Sequence, residues 1–256
     1  MAHKLQLNFL AAERKATDLL DQYGICAPEH IRVRDLAYVL GAQIVEGQLE
    51  KAAASLTKVG DHSVIRVPRN NSPERKRFSI AHEVGHLVLK HVRSVLRFCK
   101  QEDMMEWYTP GEETEANFFA SELTLPSFLV EKRCDVKKVN LMPIRRIAQE
   151  FRTSLTAAAI KFIRLCPEQC AVIFSKEGKI KWSYESTTWW HFIERGKPLN
   201  GHSIASDFFK GNEIPDEPIG VEPYAWVDND KLNGIVEHSF GSPAYGFVLS
   251  ILWIRS

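Results

Sequence analysis

Two histidines one helical turn apart, with a glutamate beside the first, are the residues of this chain best suited to chemistry: His82-Glu83-Val-Gly85-His86, inside the stretch from Phe78 to Leu89. On an α-helix positions i and i+4 share a face, so both imidazoles can reach a single Zn2+. Glu83, rotated by one residue, can reach a water on the metal rather than the metal itself. Zinc would lower that water's pKa to about 7, and Glu83 would take its proton as general base before passing it to a leaving amine. The chemistry is hydrolysis of a peptide bond.

The elements around the motif must hold it. Ser72 followed by Pro73 reads as an N-cap with proline at the first helical position, which places the motif well inside a helix. Phe78, Ala81, Gly85 and Val88 form a buried stripe, widened by Ile80, Val84 and Leu87. Upstream, residues 10 to 24 carry a helix with Leu10, Ala11, Ala16, Leu19 and Leu20 as its docking face, and Gly24 ends it. Asp35 to Leu40, closed by Gly41, reads as a short helix that hands over to a strand at Gln43 to Val45. Residues 53–59 and 63–67 read as a hairpin around Gly60-Asp61-His62. A small sheet packed on the motif helix follows, with an edge on which an extended substrate could add as another strand.

A third ligand is needed. Thr109-Pro110-Gly111-Glu112 reads as a capping box that opens a new helix, which Pro126 stops. A third histidine six residues after the motif would require glycine at 89 and histidine at 92, where the chain has Leu89 and Val92. His91, five residues after His86, is rotated off the metal face and reads as a surface or supporting residue. Glu113 or Glu115 could supply the ligand. Glu113 is preferred, because Asn117 lies one turn further on the same face and can orient a ligand histidine, while Glu115 is expected in solvent.

The pattern His82-Glu-Val-Gly-His86 followed by Glu113-Thr-Glu-Ala-Asn117-Phe-Phe-Ala-Ser-Glu-Leu-Thr-Leu-Pro126 resembles the ImmA/IrrE family of zinc metallopeptidases. Arg75-Lys-Arg-Phe-Ser-Ile-Ala resembles that family's lead-in, and the likeness covers residues from about 10 to 165; Ser121 and Leu123-Thr124 depart from it slightly. The resemblance implies a zincin-like minimal metallopeptidase domain in which His82, His86 and Glu113 bind zinc and Glu83 is the catalytic carboxylate. It also implies a substrate: a helix-turn-helix repressor encoded nearby, whose cleavage would release a mobile-element, defence or DNA-damage-response programme. The competing reading is a zinc-bearing regulator that binds DNA or a ligand without cleaving anything. An intact Glu83 argues for the enzyme, since a scaffold needs only the ligands.

Two further residues have site roles on position alone. Cys99 lies between the motif helix and the Glu113 helix, where its thiolate could close the metal site as an inhibitory fourth ligand. Tyr108, just before the Glu113 helix, is the nominee for an oxyanion donor.

With 256 residues, 45% of them hydrophobic and 25% charged, the chain can bury a substantial core and is expected to make two domains of α+β class, residues 1–166 and 167–256. No apolar run approaches membrane-spanning length, and five cysteines form no regular framework, so a reduced cytoplasmic setting without membrane attachment is expected. Residues 131–165 hold 9 basic against 3 acidic side chains, and the pair of helices expected over 144–165 resembles a helix-turn-helix with its basic residues outward. Residues 167–256 instead hold 8 basic against 12 acidic. There a hairpin around Lys176-Glu-Gly178, a helical patch at 201–210 and a closing strand at 245–253 suggest a mixed sheet resembling the GAF/PAS-like sensor domains appended to some members of the family. Its aromatic residues could form core, line a pocket for a small-molecule activator or stack nucleic-acid bases.

Overall fold

Local punctuation determines where most elements begin and end in the computed structural model, which describes residues 2–49, 52–60, 62–91, 96–100, 111–229 and 232–255. The chain is α+β and forms two compact units: Met1–Leu129 with Gln149–Ser154, and Val130–Ala148 with Leu155–Ser256. Among the described residues no helix is long and apolar enough to cross a membrane.

The first unit opens with helix α1 (Ala2–Gln22) and the short α2 (Val33–Val39). Among the described side chains of α1, Ala12, Ala16, Leu19 and Leu20 are buried, while Leu10 is 52% exposed. The docking face is therefore turned from the expected one: Leu10 and Ala11 face solvent and Ala12 takes the inward position. Strands β1 (Ala42–Gly47), β2 (Ala52–Val59) and β3 (His62–Pro68) follow, then α3 (Pro73–Val88), β4 (Leu96–Lys100) and α4 (Glu112–Thr124). The sheet order is β1-β3-β2-β4, with β1 parallel to β3 and the other pairs antiparallel. Gly60, at φ +59, makes the β2–β3 turn in the left-handed region that glycine adopts without penalty. Leu56, Ile65 and Val67 are fully buried, and α3 packs on β2 and β3. Glu46 on β1 ties the helices to the sheet. It accepts from Lys76 of α3 at 2.8 Å and from Arg34 of α2, and these cations hold its carboxyl below the usual range.

Short α5 (Ser127–Val130) precedes α6 (Leu141–Phe151) and α7 (Leu155–Leu165). The break between the last two falls at Arg152, with φ +52, next to the expected Thr153-Ser154. Lys161 is a correction to the expected outward basic face: it is only 2% exposed, among Ala158, Ala159, Phe162 and Ile163.

The second unit holds β5 (Cys170–Lys176), β6 (Lys179–Glu185), α8 (Ile204–Phe209), β7 (Ile219–Val221), β8 (Ile235–Ser242) and β9 (Phe247–Trp253). The sheet order is β6-β5-β9-β8-β7 and every pairing is antiparallel, so the expected mixed sheet is corrected. Glu177 and Gly178, both at positive φ, make the β5–β6 turn. The aromatic residues divide: Trp189 and Trp226 belong to the core, whereas Trp190 and Phe192 are more than 80% exposed.

Glu237 sits in the middle of β8 and is fully buried. Its carboxylate accepts from the backbone N–H of Ile204 and Ala205 at the start of α8, from the Trp226 indole and from the Ser239 hydroxyl, at 2.7–3.0 Å. Burial pushes the Glu237 carboxyl up, and these four donors pull it the other way. Removing the acceptor leaves buried donors unpaired. Glu237→Ala is therefore expected to cost roughly 3 kcal/mol of stability, measured by denaturant titration with tryptophan fluorescence; a loss below the scatter of the fits would show that the carboxylate does not anchor α8.

Candidate metal centre

The N-terminus of α3 is set by Ser72, whose hydroxyl accepts from the Arg75 N–H at 3.3 Å, with Pro73 at the first helical position. Such a cap is worth about 1 kcal/mol. Ser79 through His86 are all buried, and His82, Glu83 and His86 have no exposed surface. Apolar α3 positions face the sheet and the histidines face α4. The approach of α4 is closest at Gly85. A β-carbon there would stand 3.1 Å from Phe119 Cδ1 and 3.3 Å from both Cα and the carbonyl oxygen of Ala116. A side chain here would push its neighbours back by a few tenths of an ångström, so glycine gives the two backbones their closest approach.

Helix α4 starts at Glu112 with Gly111 as its N-cap and without a side-chain cap, later than the capping box at Thr109 implied. Glu112, Glu113 and Glu115 in the first turn offer negative charge to the positive end of the helix dipole instead. Thr109 and Tyr108 lie outside the described residues.

The structure brings His82, His86, Glu113 and Cys99 together, with one donor atom from each within 4.8 Å of the others. The Nε2 atoms of His82 and His86 are 3.0 Å apart. Glu113 Oε2 stands 3.1 Å from the first and 3.4 Å from the second, and Cys99 Sγ is 3.6 Å from His86 Nε2. A tetrahedral ion with nitrogen legs of about 2.1 Å spaces its donors about 3.4 Å apart, and a thiolate leg of about 2.3 Å lengthens that edge to about 3.6 Å. The donor set and its spacing fit a divalent metal ion. Cys99 reaches the group from edge strand β4, where it pairs with Ala54 of β2.

Each histidine is oriented from behind. His82 Nδ1 lies 2.9 Å from Asn117 Oδ1, so the ring N–H donates there and Nε2 is left to face the other donors. His86 Nδ1 lies 3.0 Å from His91 Nδ1, and His91 Nε2 lies 3.1 Å from Glu115 Oε2. Glu115 is thus not a purely solvated side chain as expected, and His91 is a buried partner of His86. The reason is the end of α3. The His91 N–H donates to the His86 carbonyl at 3.0 Å and the Lys90 N–H to Leu87 at 3.2 Å, with Lys90 left-handed at φ +61. This reversal, normally made by glycine, costs a lysine about 1 kcal/mol. It folds His91 back beside a residue that simple helical extrapolation places on another face. A histidine three residues past the helix end was the available signal.

Because the α3–α4 distance sets where Glu113 and Asn117 stand, Gly85→Ala tests it. Alanine gains helix propensity of about 1 kcal/mol, yet its methyl group must displace backbone atoms of Ala116. Metal affinity, measured by chelator competition, is expected to fall about tenfold while the circular dichroism spectrum stays the same. Unchanged affinity would show that the close approach does not position the donors.

Residues 38–162, just under half of the chain, match the family model described as the IrrE N-terminal-like domain, Peptidase_M78. No curated protein matches the chain. Eleven chains of solved structures do. One, a Mycobacterium tuberculosis transcriptional regulator, has a TM-score of 0.56 at 17% identity, over 96% of this chain and 76% of that one. At that identity the likeness is one of fold. Residues 38–162 are thus similar to a metallopeptidase-type, IrrE N-terminal-like domain, and the cluster of donors within them is suited to hold a metal.

Proposed function

We propose that the chain is a zinc-dependent endopeptidase that cleaves a helix-turn-helix repressor. One observation carries this reading: His82, His86 and Glu113 converge on a single point while Glu83, buried on the same turn of α3, completes the motif. The zincin-like arrangement of helix and sheet, the GAF/PAS-like character of the second unit and a functional division near residue 166 belong to the same proposal. The antiparallel sheet with α8 on it supports the sensor reading.

Zinc, when bound, supplies a Lewis acid that polarises a peptide carbonyl and makes a water nucleophilic near neutral pH. The chain's residues do the rest. Glu83 takes the proton of the attacking water and delivers it to the leaving amine. Asn117 holds the His82 ring with Nε2 turned inward. Strand β4 ends the order β1-β3-β2-β4, so its outer edge can pair with an extended substrate segment and draw the scissile bond past the donors. Tyr108 remains the nominee for oxyanion donor.

Cys99 gives weight to a second reading, because it stands where a fourth ligand would. A thiolate there leaves no position for water, and the chain would then be a restrained enzyme or a scaffold. A helix-turn-helix repressor encoded beside this chain's gene is the substrate to test. With zinc present, the wild type is expected to produce fragments, and Glu83→Gln to lose at least about a hundredfold in rate while keeping its metal; fragments that form equally with both proteins would refute the general-base role, and fragments from neither would favour the scaffold. Cys99→Ala is expected to raise basal cleavage several-fold, and an unchanged rate would rule out restraint by this thiol.

A further inference from the structure

We propose that His91 and Glu115 are positioning residues that commit His86 to the one tautomer able to hold the metal, an inference that rests on the zinc site proposed above. The two Nδ1 atoms of His86 and His91 face each other at 3.0 Å and can have only one hydrogen between them. If it sits on His86, the ring's Nε2 offers a lone pair toward His82 and Glu113. If it sits on His91, neutral His86 carries its hydrogen on Nε2, pointed at the donors, and cannot ligate. Glu115 decides between the two. Its carboxylate only accepts, and it lies 3.1 Å from His91 Nε2, so the hydrogen of neutral His91 is drawn to Nε2 and its Nδ1 becomes the acceptor for His86.

The arrangement is built rather than incidental. His91 is buried, the left-handed Lys90 folds it under His86, and Glu115 stands two residues from Glu113 on α4. Helix α4 thereby orients both histidines, His82 directly through Asn117 and His86 through His91. Sequence spacing left His91 as a surface or supporting residue and expected Glu115 in solvent.

The test uses the full-length protein stripped of metal, with zinc affinity measured by competition against a chromogenic chelator. His91→Phe and Glu115→Ala are each expected to weaken zinc about 10- to 100-fold, with little change in the melting temperature of the metal-free protein. Glu115 acts only through His91, so the double variant should be no weaker than His91→Phe alone. His91→Asn, whose Oδ1 can accept from His86 near the place of the lost nitrogen, should restore affinity to within a few-fold and make it indifferent to Glu115→Ala. Zinc affinity within twofold of wild type in both single variants overturns the proposal, as does a double variant whose loss is the product of the two. Should His91→Phe fail to fold, Glu115→Ala, at a partly exposed side chain, decides alone. His82→Ala separates the two levels: if it too binds zinc like wild type, the zinc site itself is misassigned, whereas its loss beside intact His91 and Glu115 variants refutes only the positioning role.

Discussion

The contact on which the first unit depends is the approach of α4 to α3 at Gly85. Ala116 and Phe119 press against a helix surface from which the side chain has been removed, and this sets the distance between the two backbones. Everything in the candidate centre is measured from that distance. His82 and His86 flank Gly85 on one helix, and Glu113 and Asn117 flank Ala116 on the other. Packed interiors adjust by tenths of an ångström, not by whole ones, and the 2.9 Å hydrogen bond from His82 to Asn117 across the interface tolerates little more. Glycine in a helix interior lowers its stability by about 0.5–1 kcal/mol relative to alanine. Here that cost is what allows two helices to share one set of donors.

Burying so many polar groups side by side is unfavourable unless they find partners. His82, Glu83, His86, His91 and Asn117 are all inside, and an unsatisfied buried polar group costs about 1–3 kcal/mol. The site answers with a series of contacts that runs outward from the cluster through His91 to Glu115, whose side chain is 24% exposed. The polar network is therefore anchored at the edge of solvent. The second unit solves a similar problem differently. Glu237 is buried deep in the sheet and is held entirely by donors from α8, Trp226 and Ser239.

Features governed by adjacent residues were legible in the sequence. Ser72-Pro73 opens α3, Gly41 closes α2, Gly60 turns β2 into β3 and Glu177-Gly178 turns β5 into β6, each through local backbone preference. That Glu113 and Asn117 share one face was also readable, because they stand one helical turn apart. What escaped depended on distant partners or on backbone reversals. Strand β8 contains Glu237 and His238 in mid-strand, which an alternating apolar pattern rejects, and only their hydrogen bonds to Ile204, Ala205 and Leu141 make the strand possible. The inward face of α1 was misread by one position because Ala11 and Ala12 are identical in type, so composition could not say which points in. Lys161 looked like a surface cation because no local rule announces a buried lysine. His91 was left between a surface and a supporting place because the helix was extrapolated past Val88, where α3 ends.

Strand β4 joins these two kinds of information. Its residues give little strand signal by themselves, yet pairing with β2 sets their register, with Cys99 opposite Ala54 and Phe98 opposite Ser55. Alternation then sends successive side chains to opposite faces, and the face that receives Cys99 is the one turned to His86. A slip of one residue would carry the thiol to the other side of the sheet. The chemistry available at the fourth position is therefore decided by strand register rather than by any motif around the cysteine. Among the described residues this strand ends the sheet order, so an added segment would lie directly alongside Cys99. Restraint of the centre and access to it would then be properties of one strand, and a partner that pairs with β4 could alter the position of Cys99 without touching α3 or α4.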